Sequence, residues 1–344
     1  MDPHILMSFV ITIFVATMMV TAGFDVPLLA FEEGYSPLFG EGNLIRSVDG
    51  RNVHLILNHN SGFISTEMYH HGLFSASIKL PSDYTAGIVV AFYTSNGDVF
   101  EKNHDELDFE FLGNIRGKEW RVQTNVYGNG SVSRGREERY NLPFDPTKEF
   151  HRYSIIWTTE NIIFYIDDTP IREVRRTEAM GGDYPSKPMS LYATIWDASN
   201  WATSGGRYKV DYSYAPFVSE FTDLALLGCR LDPLQQIPSA MKNCSADDAE
   251  LMATGLAAMT PEKRQAMLAF RQRYMTYSFC YDTKRYPVTF PDCDLVESER
   301  SRFRDTGHLR PGGNNRATAA RRVKPAKSRR IRVSGTYPKK QADM

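Results

Sequence analysis

The sequence predicts an all-β protein built from two stacked antiparallel sheets, followed by a small extension that contains helix. Short apolar or alternating segments recur through residues 24–220, and Gly, Asn, Asp and Pro separate them. Helical signals appear only after this region, where all four cysteines also lie. Many strands without intervening helices are typical of a β-sandwich rather than of a parallel α/β fold.

The N-terminus has the composition of a secretory signal peptide. Residues 5–20 are almost uniformly apolar, and the small residues Thr21, Ala22 and Gly23 follow at the expected cleavage region. The apolar run is short for a membrane span, which needs about 20 residues. We therefore predict removal of residues 1–23 and secretion, with an uncleaved membrane anchor as the alternative.

Segments with the length and pattern of strands place one β domain over residues 24–222. Each is rich in β-branched or aromatic residues and is bounded by residues that favour turns. The predicted strands are Val53–Leu57, Leu73–Leu80, Gly87–Thr94, Glu106–Leu112, Trp120–Tyr127, His151–Thr158, Ile162–Ile166 and Met189–Ile195.

Residues 223–298 are predicted to form an extension with helix and two disulfides. Thr260-Pro261-Glu262 combines an N-cap residue, a proline at the first helical position and an acidic first turn. An even number of cysteines in an exported chain favours disulfides over free thiols, and the spacing does not resemble a zinc site. Three pairings are open, and pairing neighbours closes the two shortest loops: Cys229–Cys244 and Cys280–Cys293.

Charge is divided unevenly between an acidic body and a basic tail. Residues 300–344 contain 14 of the 40 Lys and Arg residues but only 2 of the 41 Asp and Glu residues. The rest of the chain therefore contains 26 Lys and Arg and 39 Asp and Glu. An acidic body argues against nucleic-acid binding. Residues 299–344 are predicted to be disordered, because they have too little apolar surface to offset the entropy of ordering. The tail's cations suggest a salt-sensitive contact with an anionic partner, and the alternative is a solvated tail without a partner.

Two sequons for N-glycosylation agree with export. They are Asn129-Gly-Ser131 and Asn243-Cys-Ser245. Because Asn243 adjoins a predicted disulfide, Asn129 is the better candidate.

One predicted strand, within residues 104–113, alternates apolar and ionisable residues. Period two places Leu107, Phe109 and Phe111 on a core face. The opposite face carries one imidazole and three carboxyl groups, from His104, Glu106, Asp108 and Glu110.

Three carboxyl groups on one strand face suit the cleavage of a glycosidic bond. Their mutual repulsion raises at least one carboxyl pKa, and glycosidases need one ionised carboxylate and one protonated acid. The Cα atoms of Glu106 and Glu110 are about 13 Å apart on a straight strand, and their side chains can lean together across Asp108. This spacing does not decide between retention and inversion of configuration. A solvated acidic strand face and a Ca²⁺ site are the alternatives.

The segment HDELDFEFLG resembles the HDEIDFEFLG signature of plant xyloglucan endotransglucosylase/hydrolases, a branch of glycoside hydrolase family sixteen. Leu107 replaces the usual Ile on the core face. The resemblance covers roughly residues 26–295 and includes several ordered motifs. Among them are Ser77-Ile-Lys-Leu-Pro81, Gln123-Thr-Asn125, Arg136-Glu-Glu-Arg139, Thr194-Ile-Trp196, Trp201-Ala-Thr203 and Tyr277-Ser-Phe-Cys280.

The resemblance implies a concanavalin A-like jelly roll, a cleft across its concave sheet and a retaining mechanism without a cofactor or metal. It implies that Glu106 is the nucleophile, that Glu110 is the acid and then the base, and that Asp108 tunes the nucleophile. It also implies substrate contacts on the donor side, in the cleft wall, on an acceptor platform and in the extension. The donor-side contacts are His104, Gln123 and Asn125, and the cleft-wall contacts are Glu138 and Arg139. The acceptor platform consists of Trp196 and Trp201, and the contacts from the extension are Tyr277 and Arg285.

The implied activity is cleavage of the β-1,4-glucan backbone of xyloglucan and transfer of the fragment to another xyloglucan end or oligosaccharide. We favour transfer because no long insertion of the kind associated with the family's hydrolytic members is evident. The alternatives are a xyloglucan endohydrolase on the same scaffold and a non-catalytic, lectin-like glucan-binding protein. We expect a secreted monomer of the cell wall or apoplast, with no nucleic-acid or membrane partner. In that setting, anionic pectin is the partner expected for the basic tail.

Overall fold

The computed structural model describes residues 26–58, 60–231 and 244–311. The predicted signal peptide, the sequon at Asn243 and residues 312–344 of the predicted tail lie outside the described residues. None of the helices within the described ranges has both the length and the apolarity of a membrane span.

The described residues form fifteen strands and four α-helices. The strands are β1 (Tyr35–Phe39), β2 (Leu44–Arg46), β3 (Val53–Leu57), β4 (Ser61–Ser65), β5 (Met68–Lys79), β6 (Ile88–Ser95), β7 (Glu106–Leu112), β8 (Arg121–Tyr127), β9 (Glu138–Asn141), β10 (His151–Trp157), β11 (Asn161–Ile166), β12 (Thr169–Arg175), β13 (Ser190–Asp197), β14 (Phe217–Leu231) and β15 (Met275–Ser278). The helices are α1 (Phe31–Gly34), α2 (Ser245–Ala253), α3 (Pro261–Tyr274) and α4 (Glu297–Arg300).

The strands pair into two sheets whose inner faces share one hydrophobic core. One sheet has the order β1-β4-β13-β6-β7-β8-β9-β15, and the other has the order β12-β11-β10-β5-β14-β3-β2. Phe109 and Phe111 of β7 meet Tyr153 of β10 across the core, with ring centroids 5.6 and 4.6 Å apart. Burying one such ring contributes about 1.5–3 kcal/mol. The predicted all-β sandwich is confirmed.

Every predicted strand segment corresponds to a strand of the structure, although β5 begins earlier than predicted, at Met68. The sequence pattern does not predict β14, because Glu220, Thr222 and Asp223 interrupt its apolar residues. β14 pairs with β3 and β5 and runs through the predicted domain boundary at residue 222. The helical extension therefore follows β14 rather than residue 222.

The extension widens the eight-stranded sheet. Its strand β15 pairs with β9, and α3 leads directly into β15. The side chain of Thr260 caps α3 by accepting a hydrogen bond from the backbone N–H of Lys263, as the sequence predicts. The structure contains both nearest-neighbour disulfides, Cys229–Cys244 and Cys280–Cys293.

The predicted disordered tail begins too early, because residues 299–311 pack against the extension. Phe303 is buried and stacks on Tyr281 with ring centroids 5.0 Å apart. Arg302 donates hydrogen bonds to two backbone carbonyls at the end of α3. The buried ring of Phe303 and the hydrogen bonds of Arg302 therefore hold in place a segment whose composition predicts disorder. We call residues 299–311 the strap.

Candidate active site

β7 lies between β6 and β8 near the middle of its sheet, and its polar face opens into a cleft. Its apolar side chains are fully buried in the core, as the alternation predicts. Glu106, Asp108 and Glu110 line a cavity of about 370 Å³ on the other face. The cavity is completed by Ala91, Tyr93, Gln123, Asn125, Tyr127, Glu137, Trp196 and Trp201.

The register of the sheet fixes the neighbours of each carboxyl group. On β8, Gln123 lies opposite Glu110 and Asn125 lies opposite Asp108. On β6, the small Ala91 lies opposite Glu110 and leaves room above that side chain. Opposed residues have Cβ atoms about 4.5–5.5 Å apart, so the two amide side chains reach the carboxyl row.

Asp108 is a neutral hydrogen-bond donor to Glu106. Burial raises the pKa of Asp108 well above its usual range, and the charges of Glu106 and Glu110 raise it further. Burial also raises the pKa of Glu106, but hydrogen bonds from Ser95 and Asp108 favour its carboxylate form. The Nε2 atom of His104 lies 3.9 Å from Glu106 Oε2 and favours the same form. The pair therefore keeps its proton on Asp108 and its negative charge on Glu106.

Glu110 has the opposite character. Burial raises the pKa of Glu110 to about 7, and the charges of Glu137 and Glu106 act in the same direction. The amide of Gln123 and the guanidinium of Arg139 oppose them. Just below neutral pH the site thus holds one carboxylate, on Glu106, and two protonated acids, on Asp108 and Glu110. This is the asymmetry that glycosidic cleavage needs.

The two parts of the chain match two family models. Residues 31–214 match Glycosyl hydrolases family 16, and residues 246–293 match Xyloglucan endo-transglycosylase (XET) C-terminus. The chain belongs to glycosyl hydrolase family 16. The jelly-roll sandwich predicted from the resemblance, with a disulfide-linked helical extension, is confirmed, and the protein is an enzyme of this family.

Curated relatives place this family 16 enzyme in the xyloglucan endotransglucosylase/hydrolase branch. It is 61% identical to "Probable xyloglucan endotransglucosylase/hydrolase protein 30" of Arabidopsis thaliana, over 83% of each chain. It is 59% identical to protein 29 of the same series and organism, over 87% of each chain. Among solved structures, Bacillus licheniformis beta-glucanase matches with a TM-score of 0.45 and 22% identity, covering 59% of this chain and 94% of that one.

The structure brings the predicted donor-side residues of the family 16 site together. Gln123 donates a hydrogen bond from Nε2 to Glu110 Oε2. His104 lies beside Glu106, at the other end of the carboxyl row. Asn125 is buried, and its Oδ1 accepts the backbone N–H of Val126 at 3.0 Å.

Both predicted indole side chains line the same cavity. Trp196 lies near the end of β13, and Trp201 lies in the segment that follows. Trp201 is 42% exposed, which is unusual for so large an apolar side chain. A flat exposed indole suits the C–H face of a sugar ring.

The prediction for Glu138 is wrong, and the neighbouring Glu137 takes its place in the cleft. The register pairs Gln123 with Arg139, so Arg139 and Glu137 share the cleft face of the sheet. Glu138 points into the core, where Arg271 and Arg172 surround its carboxylate. Because Arg139 lies opposite Gln123 on the cleft face, alternation along Arg136-Glu-Glu-Arg139 places Glu137 on the same face and Glu138 on the core face. The cleft is also lined by Ala91, Tyr93 and Tyr127, which the sequence pattern does not single out.

The two residues predicted in the extension have different positions. Arg285 reaches the cleft edge, where its Nη1 atom donates to Glu137 Oε1 at 3.1 Å. Tyr277 is only 3% exposed, and its hydroxyl donates to Asp282 Oδ2 at 2.9 Å. Its ring lies beneath the guanidinium of Arg139. Tyr277 is therefore placed to support the cleft wall and offers little surface to a ligand.

Proposed function

We propose that this enzyme is a retaining, endo-acting transglycosylase that cleaves the β-1,4-glucan backbone of xyloglucan and rejoins the fragment to another xyloglucan end. The observation that carries the proposal is the division of protonation states along β7. Glu106 is a carboxylate that accepts from Asp108, and Glu110 is an acid whose pKa is raised to about 7. The names of the curated relatives support xyloglucan as the substrate.

In the first step, a carboxylate oxygen of Glu106 attacks the anomeric carbon of the donor chain. The bond from that carbon to the glycosidic oxygen breaks, and Glu110 gives its proton to the departing oxygen. An ester joins Glu106 to the donor fragment. Asp108 donates to Glu106 throughout and holds it in the ionised form that attacks.

In the second step, a hydroxyl of the acceptor sugar attacks the same carbon and the ester to Glu106 breaks. Glu110 now takes the proton of that hydroxyl and returns to its starting state. Two displacements at one carbon retain its configuration.

Transfer competes with hydrolysis at the ester intermediate. Water is present at about 55 M, whereas a well-oriented bound hydroxyl can act with an effective molarity of about 10⁵ M. Binding on the acceptor side therefore decides the outcome. The exposed indole of Trp201, and Trp196 beside it, support an acceptor platform and hence transfer. A hydrolase on the same scaffold is the second candidate, and the asymmetric carboxyl groups argue against a lectin-like protein.

Product analysis tests the proposal. Purified protein is incubated with xyloglucan and a fluorescent xyloglucan oligosaccharide, and the products are separated by size. We expect the label to enter high-mass polymer. Shorter polymer without incorporated label would establish hydrolysis instead, and polymer of unchanged size and label would exclude both activities on xyloglucan.

The pH dependence follows from Glu110. Since burial raises its pKa to about 7, the acid is present below that pH and is lost as the pH rises through it. We expect kcat/KM for xyloglucan to fall about tenfold per pH unit above this value. The profile is measured with a saturating acceptor. A kcat/KM that stays level one unit above that pH would assign proton donation to another group.

We also propose export to the cell wall, where the enzyme acts as a monomer. The predicted signal peptide supports export. So do the two disulfides, which form in oxidising compartments. Asn129 is exposed in the turn after β8, which suits a glycan there. Contact of the basic tail with pectin stays a proposal, and retention on pectin at low and high salt, with and without residues 312–344, tests it.

A further inference from the structure

A continuous series of hydrogen bonds runs from the extension to Glu110. Gln123 donates from Nε2 to Glu110, and Arg139 donates from Nε to Gln123 Oε1 at 2.6 Å. Arg139 also donates from Nη2 to Glu137 Oε2 at 3.3 Å. Arg285 donates to the other oxygen of Glu137. Gln123, Arg139 and Glu137 each have a partner on both sides, so the orientation of one fixes the next.

The chemistry of Arg139 determines how the Gln123 amide is turned. An amide accepts at Oε1 and donates at Nε2, whereas a guanidinium has only donors. If the amide were reversed, Nε2 would meet the donors of Arg139, and Oε1 would face Glu110. The first contact places two donors together and is unfavourable. Arg139 therefore selects the orientation in which Nε2 faces Glu110.

The extension and the strap hold Arg139 in place without a bound sugar. The guanidinium carbon lies 5.1 Å from the ring centroid of Tyr277, and the hydroxyl of Tyr277 is fixed by Asp282. His308 of the strap contacts the same ring, with centroids 4.8 Å apart. Arg139 lies beside Gln123 on the cleft face, with its side chain 30% exposed, and it reaches Glu110 only through the Gln123 amide.

We propose that Arg139 is a positioning residue, held by the C-terminal extension, that fixes the Gln123 amide so that it always donates to Glu110. The inference rests on the proposed function, in which Glu110 is first an acid and then a base. In the second step Glu110 must take the proton of the acceptor hydroxyl as a carboxylate. A fixed amide donor stabilises that carboxylate, whereas a freely turning amide could equally accept from the protonated acid.

Other ionisable groups also face Glu110, and the test must separate Arg139 from them. They are Glu106 and Asp108 on β7, Tyr93 on β6, Tyr127 on β8, Glu137 just before β9, Arg139 on β9, and Arg285 of the extension. Among the described side chains in this group, Arg139 is the cation that contacts Gln123.

The test compares Arg139→Met, Arg139→Gln and Arg139→Lys in the full chain. Methionine removes the charge and the donors, glutamine permits either amide orientation, and lysine keeps a side chain that only donates. Arg46→Met is the control, because Arg46 carries the same charge on β2 of the other sheet, where it pairs with the exposed Glu32. The Glu110 carboxyl is titrated by ¹³C NMR without substrate, with Glu110→Gln used to assign its signal. Transfer is measured against pH in parallel.

We expect the Glu110 midpoint to rise by about 1 pH unit in Arg139→Met and Arg139→Gln, and the alkaline limb of kcat/KM to rise with it. Transfer at weakly acidic pH should fall about tenfold, because one pKa unit changes the ionised fraction tenfold. Arg139→Lys should restore most of both values, and Arg46→Met should change neither. If Arg139→Met does not fold, the Glu110 midpoint and the pH profile of Arg139→Gln alone decide whether the proposal holds.

An unchanged Glu110 midpoint and pH profile, with only a higher KM for the acceptor, would overturn the proposal and make Arg139 a sugar contact. The NMR titration does not depend on turnover. A midpoint that shifts in a protein without activity on xyloglucan would therefore reject the proposed function while retaining the positioning role.

Discussion

Replacing Glu106 with alanine is expected to abolish turnover of xyloglucan while glucan binding is retained. The change removes the atom that forms the covalent intermediate, and we expect kcat to fall by about 10⁴-fold or more. The sugar-facing wall of Trp196, Trp201 and Asn125 stays in place. Turnover is measured by viscosity loss and by label transfer, and binding is measured by affinity electrophoresis in xyloglucan gels.

A small external nucleophile distinguishes loss of the nucleophile from misfolding. In Glu106→Ala, azide can occupy the vacated space and attack the anomeric carbon while Glu110 still protonates the leaving oxygen. The expected product is a glycosyl azide of inverted configuration. Glu149→Ala removes a carboxyl group from an exposed loop outside the cleft and should keep full activity. Normal turnover by Glu106→Ala would remove Glu106 from the mechanism.

The row of carboxyl groups on β7 can be predicted from the sequence because it depends on one local rule. Successive side chains of a strand point to opposite faces, so the buried Phe109 and Phe111 define where Glu106, Asp108 and Glu110 must point. The acid–carboxylate asymmetry also follows, since three crowded carboxyl groups cannot all ionise. Which of them keeps its proton depends on burial and on partners from other strands, and these are known only from the structure.

Positions on β9 and in the extension could not be predicted in the same way. β9 contains only four residues, so its own alternation does not show which face is buried. The choice between Glu137 and Glu138 requires the register with β8, which is a non-local property. Tyr277 is buried because the strap folds back over it. That contact joins the extension to a segment whose composition predicts disorder.

Replacing Glu138 with glutamine is expected to destabilise the protein more than any change at an exposed ion pair. Its carboxylate is 3% exposed and accepts hydrogen bonds from Arg271 at 2.7 and 2.9 Å and from Ser278 at 3.0 Å. Burial alone would raise the pKa of Glu138, but Arg271 and Arg172 lower it to about 2. Glutamine leaves both guanidinium groups buried without their shared anion. Breaking such a buried network costs about 3–5 kcal/mol in the free energy of unfolding.

The pH dependence of the loss separates charge from packing. The lowered pKa of Glu138 means that its stabilisation is present above the pKa of the unfolded chain and disappears as the pH falls toward about 2. The difference in unfolding free energy between the wild type and Glu138→Gln, from urea titrations, should therefore be largest near neutral pH and shrink in acid. Glu32→Gln, at the exposed Arg46–Glu32 pair, is the control and should change little. A difference that stays constant with pH would show that Glu138 stabilises the sandwich by its shape, and that Arg271 and Arg172 find other partners when the anion is removed.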